Sequence, residues 1–315
     1  MKQIKMKQAN PSMWRVFKKN WELLALCIPA IVCYILFAYL PMGGLVMAFK
    51  DFRYNLGIFG SPWIGFKNFE FLFTSSDLYI IVRNTVGYGV LFIAVNLVVC
   101  VIFALLLFEV SNRKALKFYQ TSMLLPNFLS WVIIGFITYA IFNPVLGLLH
   151  QVNGFFGGGW FDVYVKRGLW PFILTIVNQW KGLGLGVLIY YAALMGIDTS
   201  LYEAAKIDGA SRWKQTLYVS LPGLVPLIII LTIMSMGGIF KSDVGLFYAI
   251  PRNVGILNPA VDVIDTYVLR GITSAGGTNF TTTSAIGMVQ SVLGLVLVVL
   301  TNSVVRKISP DNSLF

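Results

Sequence analysis

Residues 23–49, 84–108 and 215–240 contain no charged side chain. Runs of that length constrain the fold more than any other feature. About 20 consecutive apolar residues cross the hydrocarbon core of a bilayer as one helix. No water in that core satisfies backbone N–H and C=O groups, so a run of this kind must pair them internally, as a helix does. Three further stretches extend the pattern. The uncharged run 118–161 is too long for one helix and is split by Asn143-Pro144, which places a span at about 119–142. The segment at about 169–195 is interrupted only by Lys181, and a last span falls at about 284–305. The expectation is an all-α membrane protein of six transmembrane helices. With 57% hydrophobic and 12% charged residues, the composition is not that of a water-soluble domain.

Basic residues set the expected orientation. With the N-terminus inside, the inner segments hold 14 Lys and Arg and the longer outer segments 9. This is the positive-inside pattern; it places both termini in the cytoplasm and 241–283 outside. The net charge of +11 is thereby explained by topology and anionic lipid contact, with no nucleic acid required. Residues 11–22, with Trp14, Phe17 and Trp21 among Arg15, Lys18 and Lys19, suit the membrane interface or serve as a plain basic anchor. Cys27, Cys33 and Cys100 all fall inside spans, which argues against a disulfide framework. Bulky Leu26 before Cys27 and the apolar run onward to Phe49 indicate an uncleaved first span.

Between the fourth and fifth spans lies a polar stretch, EAAKIDGASRWKQTLYVSLPGLVP (203–226). Ser200 and Glu203 have the spacing of a capping box, in which each side chain serves the other's backbone N–H. Gly209 stands where a left-handed turn would end the short helix, and Ser211 can cap a second one. A short helix, a sharp turn and a second helix beside the bilayer can hand a mechanical signal to a soluble partner.

This stretch resembles the EAA loop of the membrane subunits of binding-protein-dependent ABC importers, which reads E-A-A, three residues, G-A, then a downstream L-P. Glu203, Ala204, Ala205, Asp208, Gly209, Ala210, Leu221 and Pro222 fill those places. The segments PMGGLVMAFKDF (41–52), SPWIGFKNF (61–69) and VIDTYVLRG (263–271), with the C-terminal SLF, are similar to the LplB-like oligosaccharide permeases. The resemblance implies the type I importer permease fold. In that reading residues 1–78 are an added first helix and loop, 79–305 the permease core with a coupling loop at 198–216, and 306–315 a tail. It further implies a heterodimer with a second permease, two copies of an ATPase, an extracytoplasmic sugar-binding lipoprotein and an oligosaccharide substrate, in a bacterial cell membrane. The coupling residues implied are Ser200, Tyr202, Glu203, Ala204, Ala205, Asp208, Gly209, Ala210 and Arg212. From Gly237 the chain reads GGIFKSDVGLFY, where many LplB-like members carry a G-F-E-Q type segment, and this leaves the sugar open.

No G-x-x-x-x-G-K-[ST] occurs, so ATP and Mg are expected on the separate ATPase and no cofactor on this chain. The single His150 has no Cys or Glu cluster near it in sequence, so no metal is expected. No acid–base pair or nucleophile with a base converges, which argues against an enzyme; six spans almost free of acidic groups argue against a proton- or ion-coupled carrier. Lys181 is the anomaly, because a charge at mid-span costs roughly 3 kcal/mol or more. It lines a translocation path, pairs with a carbonyl or partner subunit, or marks a misplaced span. Asn178, Trp180, Asn127 and Trp131 join it as path candidates because amides and indoles suit sugars.

Overall fold

The computed structural model describes residues 19–74, 76–158, 160, 162–273, 280–308, 310 and 314, with backbone alone for 71–74, 76–77 and 308. Most of the interfacial segment expected at 11–22 and parts of the polar loop and tail at 274–279 and 309–315 lie outside the described residues. The helices are α1 (Trp21–Phe49), α2 (Lys67–Thr74), α3 (Ser76–Phe108), α4 (Arg113–Leu124), α5 (Trp131–Phe142), α6 (Leu148–Phe155), α7 (Trp170–Met195), α8 (Thr199–Ile207), α9 (Arg212–Gly237), α10 (Val244–Ala249), α11 (Ile264–Thr273) and α12 (Phe280–Ile308). Among them α1, α3, α7, α9 and α12 are long and apolar enough to cross a bilayer singly.

The third span departs from the straight helix expected at 119–142. It is the pair α4 and α5, bent by 99°. The cause is local. Pro126 has no N–H and its ring crowds the carbonyl one turn back, which kinks or breaks a helix; here α4 ends. The chain tightens into a 3₁₀ turn at Leu125–Phe128 and runs extended through Leu129 and Ser130. The Ser130 hydroxyl then accepts from the Ile133 N–H at 3.3 Å and starts a new helix. Hydropathy registers the apolar run but not its direction. Proline also marks α9, where Pro222 removes the donor to the preceding turn and a π-helical turn, Thr216–Ser220, stands just before it.

Two apolar clusters hold the bundle. Cys100, Ala104 and Leu107 of α3 interlock with Val187, Tyr190 and Leu194 of α7 and with Leu224 of α9. Toward the other end, Tyr88, Ile134, Trp170 and Leu174 bury Leu246, Phe247, Ile250 and Leu257 of the long loop after α9. Gly184 lets α7 lie directly on the bend of the third span; a Cβ there would collide with the Met123 carbonyl. Helix α1 is peripheral, with no buried residue in Trp21–Tyr34, and meets α12 through Gly43–Phe49. The similar-looking segments 41–52 and 61–69 fold on each other. Phe49 stacks on Trp63 at 5.4 Å, and the Asn68 amide donates to the Ala48 and Lys50 carbonyls.

The long loop is built into the bundle by buried polar groups. The Asn84 amide donates to the Pro259 and Asp262 carbonyls at 3.2 and 2.9 Å. Thr85 Oγ1 accepts from the Ile264 N–H, and the Tyr88 hydroxyl donates to the Ala260 carbonyl. Each such group left unpaired in a buried setting costs about 1–3 kcal/mol. Asp262 is itself fixed by Thr266 and by an ion pair with Arg270. Burial holds the Asp265 carboxyl above its usual range, opposed by the Ser242 N–H, which it accepts at 2.6 Å.

Candidate functional site: an exposed coupling element and a polar cleft

At the end of the bundle where α7 stops, α8 and the start of α9 form a compact element. Its first turn is capped by Asp198, whose carboxylate accepts from the Ser200 N–H at 2.9 Å. The expected capping box of Ser200 with Glu203 is therefore not formed. Asp is a strong cap, its charge is favoured at a helix N-terminus, and it lies two residues upstream. The same bonds hold the Asp198 carboxyl below its usual range. At the other end the chain closes as the sequence leads one to expect. Gly209 has φ +74°, Ala210 N–H reaches the Ala205 carbonyl at 2.9 Å, and Gly209 N–H reaches Lys206 at 3.1 Å. Ser211 caps the next helix through the Lys214 N–H.

The element is anchored on one side and free on the other. The Tyr202 hydroxyl is 2.9 Å from Ser220 Oγ, and its ring lies against Phe108 at the end of α3. Arg212 pairs with Glu109 at 2.7 Å. Glu203, Ala204, Asp208 and Gly209 are exposed, while Ala205 and Ala210 are half-buried. Beside them stand two large apolar side chains, Ile207 at 87% exposure and Trp213 at 75%. Grouped exposed apolar side chains beside a helix are the kind of surface a partner can cover. The motif itself does not single out Ile207 and Trp213; their exposure does.

The path candidates separate into two places. Lys181 donates to the Asn127 and Leu129 carbonyls at 2.9 and 2.6 Å, in the bend between α4 and α5, and its ammonium stands 5.2 Å from the Trp131 ring. These two carbonyls lack helical partners because of the bend, so the half-buried cation and the broken span satisfy each other. Trp131 in turn donates its indole N–H to Asp243 at 2.6 Å, tying the bend to the start of α10. Asn127 takes part through its backbone. Asn178 lies elsewhere, in a cleft of about 310 Å³ between α3, α7 and α9, which also presents Asn96, Tyr190, Thr232 and Ser235. Trp180 is 42% exposed on α7. The cleft's polar groups come from three spans, so no single stretch of sequence reveals them; Asn96, inside an uncharged run, was the available signal. No cluster of three metal-binding side chains occurs among the described residues.

An anchored helix-turn-helix at one bundle end, with a polar cleft between spans, can be compared with known proteins. Residues 101–310 match the family described as the binding-protein-dependent transport system inner membrane component. The chain belongs to that family. Among its relatives is the polygalacturonan/rhamnogalacturonan transport system permease protein YteP of Bacillus subtilis, 32% identical over 92% of this chain and 89% of the relative. Protein LplB of the same organism is 30% identical over 93% and 91%. Among solved structures, a permease chain of a bacterial ABC transporter involved in import of the acidic polysaccharide alginate superposes with a TM-score of 0.83 at 30% identity, over 94% of this chain and 99% of that one. That alginate transporter is also solved in complex with its periplasmic protein carrying an alginate pentasaccharide. The permease described here is accordingly a multi-pass inner membrane subunit and not an enzyme.

Proposed function

We propose that this permease moves a complex sugar, an oligosaccharide, inward across the cytoplasmic membrane by alternating access. It works as a heterodimer with a second permease, with two copies of an ATPase that carry ATP and Mg and an extracytoplasmic sugar-binding lipoprotein that delivers substrate. Both termini and the 198–216 element face the cytoplasm, and 241–283 faces outward. The exposed edge of α8, with Glu203, Ala204, Ile207, Asp208 and Gly209, docks on the ATPase. Tyr202 and Arg212 pass its displacement to α3 and α9. Closure of the ATPase dimer then becomes a rearrangement of packed spans. The observation that carries this reading is the closed turn at Gly209, anchored inward and bare outward, in a chain whose relatives transport polygalacturonan and alginate. Asn178 and the cleft around it form part of the path, with Lys181 and Trp131 shaping its wall at the bend. Uptake of labelled oligogalacturonate, alginate oligomers and neutral oligosaccharides, compared in cells with and without the gene, tests it. Loss of uptake of one class on deletion is expected, and undiminished uptake of all of them refutes it.

A further inference from the structure

A cavity of about 430 Å³ lies at the bundle end opposite the 198–216 element, between α3, the 3₁₀ turn leading into α7, and the 259–260 turn. Two guanidiniums line it, Arg83 and Arg167. The same loop holds both: Arg83 donates to the Pro259 carbonyl at 3.3 Å, and Arg167 to that of Ile256 at 2.6 Å. Neutral acceptors orient these cations without cancelling their charge. No carboxylate pairs with either among the described residues. Two like charges held beside one cavity raise its affinity for an anion.

The rest of the cavity is of another kind. Gly87, Leu91 and Pro171 line it with carbon, and its neutral polar groups are committed: the Tyr88 hydroxyl to Ala260, and the Asn84 amide to Pro259 and Asp262. A sugar ring would find few free partners for its hydroxyls. An alkyl chain would be well received. The exposed apolar stripe of α3 runs on from Leu91 through Ala94, Val98 and Ile102, along the length of the bilayer-spanning helix.

We propose that this cavity binds the headgroup of an anionic phospholipid. Arg83 and Arg167 hold the phosphate, and the acyl chain lies along Leu91 and the α3 stripe. The lipid would bridge α3, the entry to α7 and the 256–260 turn, and so brace the long loop from the bilayer side.

The test uses the complex purified as it assembles, delipidated and given phosphatidylglycerol, phosphatidylcholine or trigalacturonate. Thermal melting and native mass spectrometry give stabilisation and lipid retention. Wild type should retain phosphatidylglycerol over phosphatidylcholine, and the double variant Arg83→Gln/Arg167→Gln should bind it roughly tenfold or more weakly. Gly87→Leu leaves both arginines in place. A Cβ at Gly87 meets nothing within 4 Å, so this variant should fold while filling the cavity and lose retention likewise. Equal retention of the two lipids, or retention unchanged in both variants, overturns the proposal. So does stabilisation by trigalacturonate alone through the arginines, or loss of the lipid whenever the second permease is present.

Discussion

Substituting Gly209 with valine should uncouple the permease from its ATPase while leaving its spans in the membrane. The left-handed conformation at φ +74° costs a residue with a side chain roughly 1–2 kcal/mol, and a β-branched one more. No clash adds to this, because a Cβ at Gly209 meets nothing within 4 Å. Opposing the strain are the two bonds of the terminal turn, from Ala210 to Ala205 and from Gly209 to Lys206, each worth about 0.5–1.5 kcal/mol. Strain and bonds are therefore of equal size. In Gly209→Val the closed turn and its unravelled form become comparable in population, and Ile207 and Asp208 lose their fixed place on the docking edge. Asparagine tolerates the left-handed region, so Gly209→Asn should stay near wild type, with Gly209→Ala between. The assay is ATP hydrolysis by the purified complex with and without the binding protein, beside uptake and membrane abundance of the chain. Binding-protein-stimulated hydrolysis should fall several-fold in the valine variant at unchanged abundance. If valine matches wild type, or asparagine is as poor as valine, the conformational argument is wrong.

Lys181→Met should impair uptake more than assembly. It strips the Asn127 and Leu129 carbonyls of their donor, at about 1–3 kcal/mol each, but also removes a mid-span charge costing about 3 kcal/mol; normal uptake refutes the role assigned to the bend. With Cys27 and Cys33 replaced, an impermeant thiol reagent added outside should label a cysteine near exposed Asn253 and spare one near Ser211, and the reverse pattern ends the orientation model. Asp265, raised by burial, takes up a proton more readily folded than unfolded. Stability should therefore rise as pH falls from its raised value toward the ordinary 3.8, and Asp265→Asn should flatten that dependence in thermal melts across acidic pH. A melt profile of the variant parallel to wild type would show that another group controls it.

The apolar runs made the helices legible, because a span needs only length and the absence of charge. The turn at Gly209 and the cap at Ser211 were legible too, since both depend on nearest neighbours. Failures arose where a second local option competed or where partners are distant. Ser200 and Glu203 have the right spacing for a box, yet Asp198 takes the cap. Pro126 sits in a run whose composition is uniform, so the bend leaves no hydropathic trace. Lys181 was readable as an anomaly, but its partners are 52 and 54 residues away, on backbone atoms that any sequence would supply. Asn96, Thr232 and Ser235 each resemble an isolated polar residue until α3 and α9 meet.

The bonds from Asn84 and Thr85 to the long loop join residues 175–179 positions apart. At about 5–20 residues per second, roughly 9–35 s of translation separate these α3 side chains from the turn that pairs with them. Until residues 259–264 arrive, the Asn84 amide lacks its two carbonyl acceptors and the Tyr88 hydroxyl lacks that of Ala260, while the Thr85 hydroxyl already donates to the Ile81 carbonyl within α3. A chain stalled before that turn presents open polar groups at the head of an apolar helix, each costing about 1–3 kcal/mol if buried unpaired. The polar head of α3, made early, is thus completed only by a turn made more than 170 residues later.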